Sequence, residues 1–271
     1  MSDSTPIFPS ADRWADWRSD FSAALGFLTR APRLPRRATA GADEAVVDLA
    51  RAMRAFPVVG ALLGLASALV YVLAYAVGLP PLAAALLALA SGAFATGALH
   101  EDGLADLADG LAGGNTAQER LAIMADSRIG AAGTLALVFG IALKAAALSA
   151  LATPGVVAAA LVAAGAGSRA IFPAILRRLE PARPDGLSAA IGVPGPDVNA
   201  TAIAIGGTVV AVCLGLAPGF AAALGCALLV FAIAGIARKK IGGHTGDVLG
   251  AAQQMAEIVI LLVAAAAFGA A

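Results

Sequence analysis

Four carboxylates, Glu101, Asp102, Asp106 and Asp109, fall within nine positions of the stretch HEDGLADLADGLAGG, His100 to Gly114. They follow an apolar run in a chain made mostly of Ala, Leu, Val and Gly. On a helix, Asp102, Asp106 and Asp109 stand at i, i+4 and i+7 and share one narrow face. Carboxylates so placed repel one another unless a cation sits among them. Mg²⁺ takes oxygen ligands and is typically bound through one or two carboxylates plus substrate phosphates. The stretch therefore reads as an element that holds a divalent cation against a phosphate. A solvated acidic face is the competing reading, but acids spread around the helix would suit it better. Gly103 and Gly110 are poor helix formers that let a ligand or backbone come close.

Other polar groups are few and conspicuous. Asp126-Ser127-Arg128 directly precedes an apolar run. It reads as a simple ion pair, or as a further ligand with an arginine that clamps phosphate. Arg169 lies inside an apolar segment, where an ionisable side chain usually faces a polar cavity or snorkels to the membrane surface. Lys144 is also intramembrane and is expected nearer the far side, snorkelling or structural. Gly242-Gly243-His244-Thr245-Gly246-Asp247-Val248-Leu249-Gly250 holds four glycines in nine residues, a backbone suited to wrapping an anion or nucleotide. No lysine follows at the spacing of a P-loop. His244 and Asp247 are candidates for acid–base work or metal binding, with Glu257 as a further polar group nearby. His100 is expected to end the second span, where it could equally cap a helix C-terminus.

The elements that position these groups are membrane helices. Of 271 residues, 60% are hydrophobic and 13% charged, against about 25% charged in soluble domains. Mean hydropathy is +0.86. Crossing the bilayer core takes about 20 apolar residues. Segments that qualify are 57–78, 80–99, 130–152, 154–176, 201–217, 219–237 and 255–271. The predicted fold is an all-α polytopic membrane bundle of about seven transmembrane helices. It has three tight hairpins and a final helix. Hairpin turns fall at 78–81, 153–155 and 217–219 and carry no charge. The long connections hold nearly all of it, including Arg30, Arg33, Arg36, Arg37, Arg51, Arg54, Arg177, Arg178, Arg183, Arg238, Lys239 and Lys240. Seven spans put these basic residues on one side, which the positive-inside rule makes the cytoplasm.

Residues 1–56 read as a cytoplasmic N-terminal segment and 57–271 as one transmembrane catalytic domain. Residues 1–11 look disordered. Trp14, Trp17, Phe21, Leu25 and Leu28 then mark one face of a helix over 12–30, either interfacial in the membrane or packed on a cytoplasmic surface. Pro32 and Pro35 break this pattern, and a second short helix is predicted from an Asp43 cap to the residue before Pro57. Gly60 and Gly64, Gly92 and Gly97, and Gly165 and Gly167 mark close helix contacts. Cys213 and Cys226 lie in apolar runs and read as small hydrophobes. Gly165-Ala166-Gly167 lacks the strand context of a dinucleotide fingerprint. Nothing in the chain has the basic, aromatic-rich surface of a nucleic-acid binder.

Physical reading alone points to a Mg²⁺-dependent membrane enzyme that transfers a phosphoryl-linked group. His100-Glu101-Asp102-Gly103-Leu104-Ala105-Asp106-Leu107-Ala108-Asp109-Gly110, Ile123-Met124-Ala125-Asp126-Ser127-Arg128-Ile129-Gly130 and Gly242-Gly243-His244-Thr245-Gly246-Asp247 closely resemble the cobalamin synthase (adenosylcobinamide-GDP ribazoletransferase) family. Phe27-Leu28-Thr29-Arg30-Ala31-Pro32 and Phe56-Pro57-Val58-Val59-Gly60 are similar to its N-terminal region. The resemblance implies an inner-membrane bacterial enzyme of late cobalamin biosynthesis. It joins adenosylcobinamide-GDP to α-ribazole or its 5′-phosphate and releases GMP. On that basis Glu101, Asp102, Asp106, Asp109 and Asp247 are the expected Mg²⁺ ligands. Asp109 is the first choice of general base, with His100 its rival and Asp126 a further catalytic candidate. Arg128, Arg169 and Arg183 are expected on phosphates, and the loop of Gly243, His244 and Thr245, with Asp247, on either the guanosine end or a second metal. Membrane lipid and a second copy of the chain are further expected partners. A CDP-alcohol phosphotransferase would share this chemistry, but its signature puts Ala-Arg after Asp-Gly, where Leu111-Ala112 stands here. A carrier would place its acids near the bilayer midplane.

Overall fold

The computed structural model describes residues 11–30, 48–151, 153–184 and 186–269, without the side chains of 11–15 and 187. Residues 1–10 of the start expected to be disordered, the Asp43 cap, and Arg33, Arg36 and Arg37 fall outside the described residues. So does the side chain of Trp14.

Among the described residues the chain is helical, with no strand longer than a single bridge. Helix α1 (Ala11–Leu28) precedes α2 (Leu49–Ala52), a 3₁₀ turn (Met53–Ala55) and α3 (Phe56–Ala76). Then come α4 (Pro81–Thr96), α5 (Leu99–Gly113), α6 (Ala117–Met124), α7 (Ala131–Leu151), α8 (Pro154–Ala170) and α9 (Phe172–Leu176). The chain ends with α10 (Leu187–Ile191), α11 (Pro196–Leu214), α12 (Leu216–Ile241) and α13 (Gly246–Phe268). Six helical segments are long and apolar enough to cross a membrane, and the bent pair α4–α5 makes seven if counted as one span. Outward-facing Leu62, Leu65, Leu69, Phe139, Phe220 and Phe231 give the bundle the apolar belt of a multi-pass membrane protein.

Glycines set the closest contact. A Cβ on Gly60 would strike the Gly165 carbonyl, and one on Gly64 would strike that of Leu161. Helices α3 and α8 therefore meet backbone to backbone, as the small residues predicted. Helix α1 packs on the start of the first span. Asp20, 2% exposed, accepts from Arg51 Nε (3.0 Å) and Arg54 Nε (2.6 Å). The Arg54 guanidinium lies 4.4 Å from the Trp17 ring centroid. Pairing with two arginines makes the burial of Asp20 tolerable.

Several predicted boundaries are corrected. No break precedes Pro57, because proline in a first helical turn removes an N–H that has no partner anyway. The same holds for Pro218, so the turn between spans five and six sits at Gly215 (φ +81°). Span five starts at Pro196, five residues before position 201. The sixth helix runs on through Arg238, Lys239 and Lys240, whose charges suit its C-terminal dipole. The seventh begins at Gly246, where the Thr245 hydroxyl accepts from Val248 N at 3.3 Å.

The second span ends at Thr96, so His100 opens α5 instead of closing α4. Gly97 (φ +68°) and Ala98 (φ +57°) are both left-handed, and the axis turns by 91°. Ala98 is the only described non-glycine residue with positive φ, a conformation costing about 1–2 kcal/mol. It stands directly before the acidic helix, which leaves the apolar crossing at this corner.

Candidate active site

Helix α5 presents its carboxylates to three different environments. Glu101 turns into the bundle, where its Oε1 accepts from Gln254 Nε2 at 3.0 Å. Asp109 faces the start of α7. Its Oδ2 accepts from Gly130 N (2.7 Å) and its Oδ1 from Gly133 N (2.8 Å). It thus satisfies N–H groups that the first turn of a span leaves open. Asp102 is exposed and Asp106 half-buried. Burial, then the charges of Asp102, Asp247 and Asp109, push the Asp106 carboxyl up to about 6.

Asp247 arrives from α13 because glycines allow it. A Cβ on Gly103 would lie 3.0 Å from Asp247 Cα, and one on Gly250 would lie 3.2 Å from His100 Cα. The two helices cross in contact there. The glycine-rich stretch thus has a packing role at the helix crossing, beside the cavity that its His244, Thr245 and Gly246 help to line. Only residues 242–245 form a loop, and Gly246 and Gly250 are helical. Gly243 packs against the backbone of Glu180–Ala182. That backbone pairs with His244, whose N–H donates to Glu180 O (2.8 Å) and whose O accepts from Ala182 N (2.9 Å).

A cavity of about 270 Å³ opens beside this crossing. It is lined by His100, Asp102, Arg183, His244, Thr245 and Asp247, which three separate stretches of the chain supply. The Thr245 hydroxyl lies 3.1 Å from Asp247 Oδ2. Arg183 also donates to Leu121 O, anchoring its loop to α6. His100 Nε2 and His244 Nδ1 are buried without a hydrogen-bond partner, and burial lowers the His244 pKa. Phe27, Leu99, Phe172, Ile191 and Leu249 complete the wall.

Asp126 and Arg128 do not line this cavity. They chelate one another, with Arg128 Nη2 donating to Asp126 Oδ2 at 2.6 Å, and the Arg128 side chain is 87% exposed. The arginine holds the Asp126 carboxyl down at about 2. Nor does Arg169 reach the cavity. It is 3% exposed and pairs with Glu257 Oε1 at 3.3 Å.

Sequence reading missed the network that Arg169 joins. Lys144 is 4% exposed, not snorkelling, and donates to Gln254 Oε1 (2.6 Å) and Glu257 Oε2 (3.3 Å). Gln253 Nε2 donates to Glu257 Oε1 (2.6 Å) and Ser168 Oγ (3.0 Å). Gln254 links the network to Glu101 and hence to α5. Two cations, Lys144 and Arg169, balance two carboxylates, Glu101 and Glu257. A polar cavity of about 50 Å³ adjoins them, and His100 lines both cavities. Two amide side chains in the middle of an apolar helix were the available signal.

Among the described residues no three His, Cys, Asp or Glu side chains close into a metal cage of their own. Asp102, Asp106 and Asp247 nevertheless fit the sparser pattern of Mg²⁺ sites, in which substrate phosphates complete the coordination. After burial, the charges of Asp102 and Asp247 add to what raises the Asp106 carboxyl.

The cobalamin-5-phosphate synthase family model matches residues 20–265. An adenosylcobinamide-GDP ribazoletransferase of Bradyrhizobium diazoefficiens is 47% identical over 265 residues, covering 96% of this chain and 98% of that protein. One from Azorhizobium caulinodans is 44% identical, covering 90% and 94%. One from Rhizobium johnstonii is 41% identical, covering 93% and 98%. No solved structure matches. These matches run through every element that lines the cavity, and the chain belongs to the cobalamin-5-phosphate synthase family.

Proposed function

We propose that this protein is an adenosylcobinamide-GDP ribazoletransferase whose reaction takes place in the cavity between α5 and α13. A ribose hydroxyl of α-ribazole, or of its 5′-phosphate, attacks the phosphorus next to cobinamide. The new P–O bond forms as the bond to GMP breaks, and the hydroxyl proton passes to a base. Family membership supplies the substrates. The observation that carries the assignment of the site is the convergence of Asp102, Arg183 and Asp247 on one cavity from three distant parts of the chain.

Arg183 suits a phosphate oxygen, since guanidinium binds phosphate bidentately. Asp102, Asp106 and Asp247 would hold Mg²⁺, which when bound neutralises charge on the diphosphate. His100 is our choice of proton acceptor: it lines the cavity and its Nε2 has no other partner. Asp109 already spends both oxygens on the α7 N-terminus. The leaving GMP needs no proton, because its phosphate is stable as an anion.

The cavity opens at the end of the bundle that carries the basic residues. Arg238 donates to Arg178 O there, and Arg120 donates to Lys240 O at 3.2 Å. By the positive-inside rule this end faces the cytoplasm, in the inner membrane of a bacterium.

The test is turnover of purified protein in lipid vesicles with adenosylcobinamide-GDP and α-ribazole, with Mg²⁺ and then with EDTA. Stoichiometric GMP and complete corrinoid, lost in EDTA and restored by Mg²⁺, is the expected result. Folded protein that releases no GMP would refute the proposal.

A further inference from the structure

The cavity wall divides by chemistry. Its polar members serve phosphate and metal in the reading above, on which this inference rests. Phe27, Leu99, Phe172, Ile191 and Leu249 have no such use. Two of them are aromatic and belong to a continuous chain of rings. Phe27 stacks on Phe56 at 5.7 Å between centroids, and Phe56 meets the edge of Phe172 at 5.6 Å. Phe172 in turn lies 5.8 Å from His100. Phe172 and Phe56 are almost fully buried, whereas Phe27 is half-buried at the cavity. Rings locked by packing make a rigid surface for a planar ligand.

Two planar bases enter the reaction. Guanine carries donors and acceptors along its edge, and burying them against apolar side chains would leave them unpaired, at a cost. The benzimidazole of α-ribazole has two methyl groups and no N–H donor. It suits a wall of phenyl and aliphatic groups. At about 270 Å³ the cavity takes one riboside and not a corrinoid.

We propose that Phe27 and Phe172 form the subsite for the base of α-ribazole, and that helix α1 thereby determines which riboside is accepted. Phe27 comes from outside the membrane bundle. It is held in place by its stacking on Phe56 and by the grip of Arg51 and Arg54 on Asp20. The ribose would then extend from the aromatic wall toward His100, Asp102 and Arg183.

The experiment compares KM for α-ribazole with KM for adenosylcobinamide-GDP in wild type, Phe27→Ala and Phe27→Tyr, in lipid with Mg²⁺. Loss of one base–aromatic stack is worth about tenfold. Phe27→Ala is expected to raise KM for α-ribazole by about tenfold and leave KM for adenosylcobinamide-GDP within about twofold. Phe27→Tyr, which keeps the ring, should restore it. A rise confined to adenosylcobinamide-GDP would assign the wall to guanine and overturn the proposal, as would unchanged values for both. If Phe27→Ala does not fold, a Phe27→Tyr KM for α-ribazole no closer to wild type than that of Phe27→Leu overturns it. Wild-type protein without turnover would instead refute the underlying reading.

Discussion

Removing the Glu257 carboxylate should destabilise this protein more than any single change at the exposed acidic face. Glu257 lies 3.3 Å from Lys144 Nζ and 3.3 Å from Arg169 Nη1, and both cations are buried. At an effective dielectric near 20, a unit-charge pair at that separation is worth about 5 kcal/mol. Desolvation offsets much of this in the intact network. It does not do so once the carboxylate is gone and two buried cations share only Glu101 and carbonyl oxygens. Breaking a buried pair from one side costs about 3–5 kcal/mol. Glu257→Ala should therefore lower the melting temperature in lipid by at least about 6 °C. Glu257→Gln keeps the shape and loses only the charge. Adding Lys144→Met to Glu257→Gln restores neutrality, so the double variant should melt above Glu257→Gln. Thermal unfolding followed by circular dichroism reads all four proteins. A Glu257→Ala shift under about 2 °C, or no recovery in the double variant, would refute the electrostatic account of this network.

Three other outcomes follow from the geometry. The folded-state carboxyl of Asp106 titrates near 6, against 3.8 ordinarily. Mg²⁺ affinity should therefore weaken as pH falls through about 6, and Asp106→Asn should remove that inflection from a Mg²⁺ titration of GMP release. Without metal the sign for stability is opposite. The folded protein binds the extra proton, so stability rises as pH falls from about 6 toward 3.8. Gly97→Ala places a side chain at φ +68°, against Arg30. It should cost about 1–2 kcal/mol in thermal unfolding and reduce turnover through a misdirected α5. Asp126→Ala should keep turnover within about twofold, because an exposed pair contributes little; a hundredfold loss would return Asp126 to the site.

The bundle was legible because hydropathy is a sum over about 20 residues per span, and small boundary errors do not change it. Glycine pairs such as Gly60 and Gly64 likewise announced a close contact. What failed was local and geometric. Pro57 and Pro218 looked like breaks, yet a first helical turn tolerates proline. The corner at Gly97–Ala98 has no apolar period to announce it, and it moved His100 from the end of one helix to the start of the next. Shared helical spacing also could not show that Asp102, Asp106 and Asp109 meet different surroundings. Asp109 has a use in capping α7 that only the position of Gly130 and Gly133 discloses. Arg169 and Lys144 find their partners 88 and 113 residues away at Glu257, a distance at which no local pattern survives.

The proposed site puts the reacting diphosphate of adenosylcobinamide-GDP at a metal that Asp102 on α5 and Asp247 on α13 would hold together. It is tested most directly by titrating Mg²⁺ against GMP release in wild type, Asp102→Asn and Asp247→Asn, with folding checked by thermal unfolding. Both variants are expected to fold and to need at least about tenfold more Mg²⁺ for half-maximal turnover. Wild-type Mg²⁺ dependence in both folded variants would contradict the account.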